Sequence, residues 1–118
     1  MIKEIHREAI VSGEHDETYY IDLVRDEGTL EYISERLEDI DDCIQRAAFV
    51  LFSVANYHPF TEGNKRTAVL LAEVVLGANL SIDVDADGLN KAVRRIGSPE
   101  GSSECTEKWL RKHIKRIS

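Results

Sequence analysis

Two segments constrain the fold of this chain more than any others: IDDCIQRAAFVLFSVANY, ending at Tyr57, and AVLLAEVVLGANL at 68–80. The first is apolar on nearly all sides of a helix after its first turn, and Glu73 is the only charge in the second. A helix without a polar face belongs inside a core. These two are therefore expected to pack on each other at the centre of the molecule. Around them, Ile2, Ile5, Ala9 and Ile10 share one face of a first helix that Gly13 ends. TLEYISERL and LNKAVRRI read as shorter helices, and ECTEKWLRKHIKRI closes the chain as an amphipathic one. YYIDLV (19–24) is aromatic and β-branched enough for an extended piece before the turn RDEG, which leaves room for one small β-hairpin near residues 19–27. With no linker or repeat in view, residues 1–118 are expected to form one compact all-α domain.

The net charge of −7 is unevenly spread. Residues 1–42 hold 14 acids against 4 bases, and residues 43–118 hold 8 acids against 11 bases. An acidic chain is a poor non-specific binder of nucleic acid. The basic tail KWLRKHIKR is read as the solvated face of the last helix, with its cations near the helix C-terminus, where they are favoured. Cys43 and Cys105 have neither metal-ligand spacing nor the density of a disulfide scaffold. They are expected as reduced thiols of a cytoplasmic protein, with Cys43 buried. No apolar run has the length of a signal peptide or of a membrane span, about 18 residues.

Two familiar motifs fail on inspection. DVDADG (83–88) opens like a calcium-binding EF-hand loop, yet Asn90 and Arg94 stand where a hydrophobic residue and a bidentate glutamate are required. The segment reads instead as an acidic turn before a helix. GNKRT places a lysine near a threonine, but the second glycine and the preceding strand of a Walker A loop are missing.

Between the two apolar segments runs HPFTEGNKRTA (58–68). Pro59 disfavours helix at His58, so the preceding helix should end near Tyr57. Glu62, Gly63 and Asn64 make a turn, and Lys65 begins the next helix. The backbone N–H groups and positive dipole end of that helix converge on one spot, which suits an anion. Gly63 admits a phosphate close to the backbone, and Lys65 and Arg66 bring cations to the same place. Glu62 can hold Mg²⁺, which takes only one or two carboxylates beside phosphates and water. His58, across the turn, can deprotonate a hydroxyl nucleophile. Taken singly, each residue is ordinary loop, capping or surface chemistry; their co-occurrence in one turn between buried helices points to a site.

The segment resembles the active-site motif of the Fic/Doc superfamily, HxFx[DE][GA]N[GK]R, at His58, Phe60, Glu62, Gly63, Asn64, Lys65 and Arg66. Weaker similarity extends through IHREAI, LVRDEGTLEYISERL and KWLRKHI. The resemblance implies a compact all-α bundle with a small β-hairpin flap that docks the target segment, here Tyr20, Ile21, Asp22 and Leu23. It implies His58 as catalytic base on a protein hydroxyl, Glu62 as Mg²⁺ ligand, and Arg66 as a catalytic phosphate contact. Gly63, Asn64 and the helix start, with Lys65, would hold the nucleotide phosphates, and Phe60 would anchor the loop in the core. ATP and Mg²⁺ are the implied cofactors.

Two branches of the superfamily differ at two positions. AMP-transferring members resemble HPFxxGNGRxxR, with glycine at the position of Lys65 and arginine at that of Val69. Doc-type toxins ("death on curing") carry NKRTA, as here, and are similar in lacking the second arginine. In that branch the nucleotide lies reversed and the γ-phosphoryl group of ATP is transferred. The known target is a threonine of elongation factor Tu, and a small antitoxin restrains the enzyme. SECTEK (103–108) has the spacing of the inhibitory motif [ST]xxxE[GN] of many Fic proteins but ends in lysine. The expectation is a Doc-like protein kinase, the toxin of a toxin–antitoxin pair. Because HPF and Gly63 are commoner on the Fic side, AMP transfer to a protein is the alternative. A non-catalytic helical module binding an anion or partner is the third reading.

Overall fold

The computed structural model describes residues 2–3, 24–60 and 63–117. Five helices make up most of it: α1 (Glu27–Glu38), α2 (Cys43–Tyr57), α3 (Asn64–Leu76), α4 (Ala86–Ile96) and α5 (Ser103–His113). The strands β1 (Leu80–Ile82) and β2 (Ile114–Arg116) form a small antiparallel sheet with Ile82 opposite Ile114. The fold is all-α, as expected.

Packing centres on α2 and α3, the most extensive helix pair among the described residues. Ala47, Val50, Leu51, Val54 and Ala55 of α2 and Ala68, Leu71 and Ala72 of α3 are fully buried. α1 adds the stripe Leu30, Ile33 and Leu37, whose helical spacing lays all three on one face. α5 packs along α2 through Leu110, and Arg111 reaches Asp42, the N-cap of α2, at 3.0 Å. Asp26, Asp42, Asp85 and Ser102 each accept a hydrogen bond from a first-turn N–H of the helix that follows. The acidic turn at 83–88 is thus a helix start, capped by Asp85.

Several boundaries depart from expectation. The helix after the motif stops at Leu76, because Gly77 (φ 89°, ψ −177°) takes an extended positive-φ conformation that only glycine adopts readily and that ends it, and Leu80 is already strand. The closing helix ends at His113, after which Ile114 turns extended and pairs with β1. α3 begins at Asn64 rather than Lys65. Cys43 is exposed, not buried: it is the first residue of α2 and precedes the first turn that enters the core. Nor is α3 covered on every side, since Glu73 and Val74 face solvent. Of the first helix, Ile2 is buried and Lys3 meets Glu27 at 3.1 Å; the rest lies outside the described residues, as do the expected flap residues Tyr20, Ile21, Asp22 and Leu23. No described helix is long and apolar enough to cross a membrane.

The C-terminal end of α4 is fastened to the C-terminal end of α2. Asn56 donates to the carbonyls of Ile96 (2.9 Å) and Ser98 (3.0 Å), satisfying acceptors that the end of α4 leaves open. Gly97 allows this approach: a Cβ there would lie 2.8 Å from the Ala55 carbonyl oxygen, a backbone atom that cannot swing aside. Gly97→Ala is therefore expected to lower stability by about 1–3 kcal/mol, read as a lower urea midpoint. An unchanged midpoint would mean that the two helix ends are not in backbone contact.

Candidate active site

The segment between α2 and α3 is held at both ends by unusual backbone. His58 closes α2 in the left-handed conformation (φ 53°, ψ 59°), the only non-glycine with positive φ among the described residues. That conformation costs an L-residue about 1–2 kcal/mol, and Pro59 removes the right-handed alternative. Gly63 (φ 78°) repeats the left-handed turn as the N-cap of α3, where glycine takes it without strain.

Hydrogen bonds secure the loop between these points. The Asn64 side chain accepts from the Phe60 N–H (3.0 Å) and donates to the Phe60 carbonyl (2.9 Å), so one amide satisfies both backbone groups of one residue. Phe60 is itself fully buried. On the other side, the Pro59 carbonyl accepts from the N–H groups of Arg25 (2.8 Å) and Asp26 (3.1 Å), and Val24 and Phe60 form an antiparallel bridge. The start of α1 is thereby tied to the loop. The assignment of Asn64 to phosphate binding is refined: its side chain is engaged in the clamp, and its backbone N–H is what it can offer a ligand.

These residues border a cleft of about 550 Å³. His58 stands at the end of α2; Gly63, Asn64, Lys65, Arg66, Val69 and Leu70 form the α3 wall; Leu89, Asn90, Val93 and Arg94 form the α4 wall. Five of the residues singled out in the sequence, His58, Gly63, Asn64, Lys65 and Arg66, thus meet in one place. Glu62 lies outside the described residues. The α4 wall was not anticipated, and neither was Arg25.

The cleft is cationic within an acidic protein. Lys65, Arg66 and Arg94 line it, and none of the lining residues described carries a carboxylate. α3 is also the one described helix whose N-cap offers no side-chain oxygen to its first-turn N–H groups. His58 responds to these surroundings. Partial burial, then the nearby Arg25 and Lys65 charges, hold its pKa below the ordinary 6.5, so the imidazole is neutral at pH 7. Its Nδ1 is sealed from solvent and has no hydrogen-bond partner among the described residues. A neutral imidazole beside a helix N-terminus lined by cations has the charge state of a proton acceptor. Among the described residues no group of three His, Cys, Asp or Glu side chains is placed to hold a metal. Mg²⁺ does not require such a cluster, since one carboxylate with phosphate oxygens and water suffices. Glu62 is the carboxylate the motif supplies.

Comparison with known proteins adds a family. No curated protein matches the chain. The family model described as Fic/DOC family matches residues 1–76, well over half of the sequence, including the whole turn and both central helices. On that match and the geometry of the turn, the chain belongs to the Fic/DOC family.

Proposed function

We propose that this protein is a Doc-like kinase that moves the γ-phosphoryl group of ATP to a serine or threonine hydroxyl of a target protein. Members of the family are generally transferases that bind a nucleotide and a metal. The observation that carries the kinase reading is Lys65. It lines the cleft in the first turn of α3, and in this reading it adds bulk and charge where a glycine would leave room for further phosphates. A terminal phosphate, with the most charge and only one chain attachment, suits that spot. The alternative, AMP transfer, is favoured by HPF and Gly63 in the same motif.

In this reading the acceptor hydroxyl gives its proton to the neutral His58 imidazole as its oxygen attacks the γ-phosphorus. The new O–P bond forms as the bond to the β,γ-bridging oxygen breaks, and ADP leaves. The first-turn N–H groups of α3, with Lys65 and Arg66, hold the phosphoryl oxygens as charge shifts in the transition state. The strained His58 backbone and the Asn64 clamp keep base and anion site in fixed relation. Mg²⁺, held by Glu62, would supply charge neutralisation on the phosphates. The resemblance to Doc toxins extends the proposal to a protein target such as elongation factor Tu, with an antitoxin as restraining partner. The flap at Tyr20–Leu23 would dock the target.

ATP labelled at either the α- or the γ-phosphate, incubated with cell lysate, tests the reading. Label on protein from γ alone supports kinase chemistry; label from α supports AMP transfer; none from either supports a binding module. His58→Ala and Arg66→Ala are expected to abolish transfer without unfolding the domain. His58→Asn is the control for backbone strain, since asparagine tolerates the left-handed conformation but accepts no proton at neutral pH. Full activity in these variants would contradict the assigned roles.

The pH dependence follows from the same geometry. Because the folded pKa of His58 is depressed, the unfolded chain takes up this proton first as pH falls. His58 therefore costs no stability above about pH 6.5 and begins to cost stability below it, and activity should fall only in that acid range. Arg25→Ala is expected to raise the His58 pKa, seen by NMR titration of the imidazole, and to move the acid limb of activity to higher pH. An unmoved titration would mean that Arg25 does not act on His58.

A further inference from the structure

Four of the eleven residues lining the cleft come from a helix beyond the residues matched to the family model. α4 presents two rows to it, each spaced by one helical turn: Leu89 and Val93, and Asn90 and Arg94. Val93 is buried at the base, while Arg94 is exposed at the rim. Opposite, the charges that α3 brings to the cleft are in its first turn, at Lys65 and Arg66, and its next residues into the cleft, Val69 and Leu70, are uncharged. Among the described lining residues, the counter-charge beyond the first turn of α3 is on α4, at Arg94.

Arg94 is suited to that role. On α4, Lys91 pairs with Asp87 at 3.3 Å, away from the cleft, whereas the Arg94 side chain forms no ion pair or hydrogen bond among the described residues. Its position relative to His58 is set by the brace at the helix ends: Asn56, two residues before His58, holds the Ile96 carbonyl, two residues after Arg94. The arginine thus projects from a wall whose distance from the base is fixed.

We propose that Arg94, with Asn90 one turn before it, binds the phosphates of a nucleoside polyphosphate that lie away from the α3 turn, and so selects di- and triphosphates over single phosphates. The inference rests on the nucleotide reading above and adds the residue that measures the length of the ligand's anionic chain. With one phosphate at Lys65 and Arg66, the next ones run along the uncharged part of the α3 wall toward Arg94. Its planar guanidinium can bridge two phosphate oxygens. The apolar side chains of the trough then meet the less polar end of the nucleotide.

Calorimetric titration of the full chain with ATP, ADP, AMP and inorganic phosphate, in the presence of Mg²⁺, tests this. Arg94→Ala is expected to weaken ATP and ADP by about tenfold or more, the loss of one contact to a charged group, and to leave AMP and inorganic phosphate nearly unchanged. Arg94→Lys should recover part of the loss. Arg95→Ala, next on the same helix but outside the cleft, should have no effect. ATP affinity unchanged in Arg94→Ala would overturn the assignment of Arg94 while leaving the nucleotide reading intact. Equal losses in Arg94→Ala and Arg95→Ala would reduce the effect to general charge and overturn it as well. A wild-type chain that binds none of the four ligands would overturn both.

Discussion

The site depends on one side chain, Asn64, that serves as a backbone partner. By accepting from the N–H and donating to the carbonyl of Phe60, it closes the loop between the two central helices as a strand would close a ladder. Burying Phe60 with its amide groups unpaired would cost several kcal/mol, on the order of 1–3 for each. The clamp removes that cost and allows the aromatic ring to enter the core while the chain turns back. Left-handed backbone at His58 and Gly63 flanks the clamp on both sides.

From the clamp follow the positions of the chemical groups. His58 ends one buried helix, and Lys65 and Arg66 begin the next, so imidazole and cations are carried by the most extensively packed helix pair among the described residues. Placing a site on such elements fixes its geometry better than a free loop would. The Pro59 carbonyl ties the same loop to the start of α1 and brings Arg25 near the imidazole. Asn56 and Gly97 then fix α4 as the opposite wall. A protein of net charge −7 in this way presents a cleft whose described lining has cations and no carboxylate.

What could be read in the sequence was what local chemistry determines. Pro59 marked the end of α2, and the spacing of apolar residues identified the two helices that form the core. The motif gathered His58, Gly63, Asn64, Lys65 and Arg66 into one place because they are neighbours in the chain. What escaped depends on tertiary contact. β1 and β2 lie over thirty residues apart and are three residues each, so their pairing leaves almost no periodic trace. The apolar character of α3 points wholly to the core, yet Val69 and Leu70 line the cleft and Val74 is exposed. LNKAVRRI looked like an ordinary amphipathic helix, and nothing local in it says that Asn90 and Arg94 face a site formed by other segments. Arg25 comes near His58 where its segment pairs through the backbone with Pro59 and Phe60.

The central claim is that the turn at Gly63–Arg66 holds the transferable phosphate within reach of His58. A crystal structure of the protein with Mg²⁺ and a non-hydrolysable ATP analogue tests it most directly. The account predicts the γ-phosphate on the first turn of α3, beside the imidazole, with the remaining phosphates running toward α4. A nucleotide seated with its α-phosphate at that turn, or outside the cleft altogether, would contradict it.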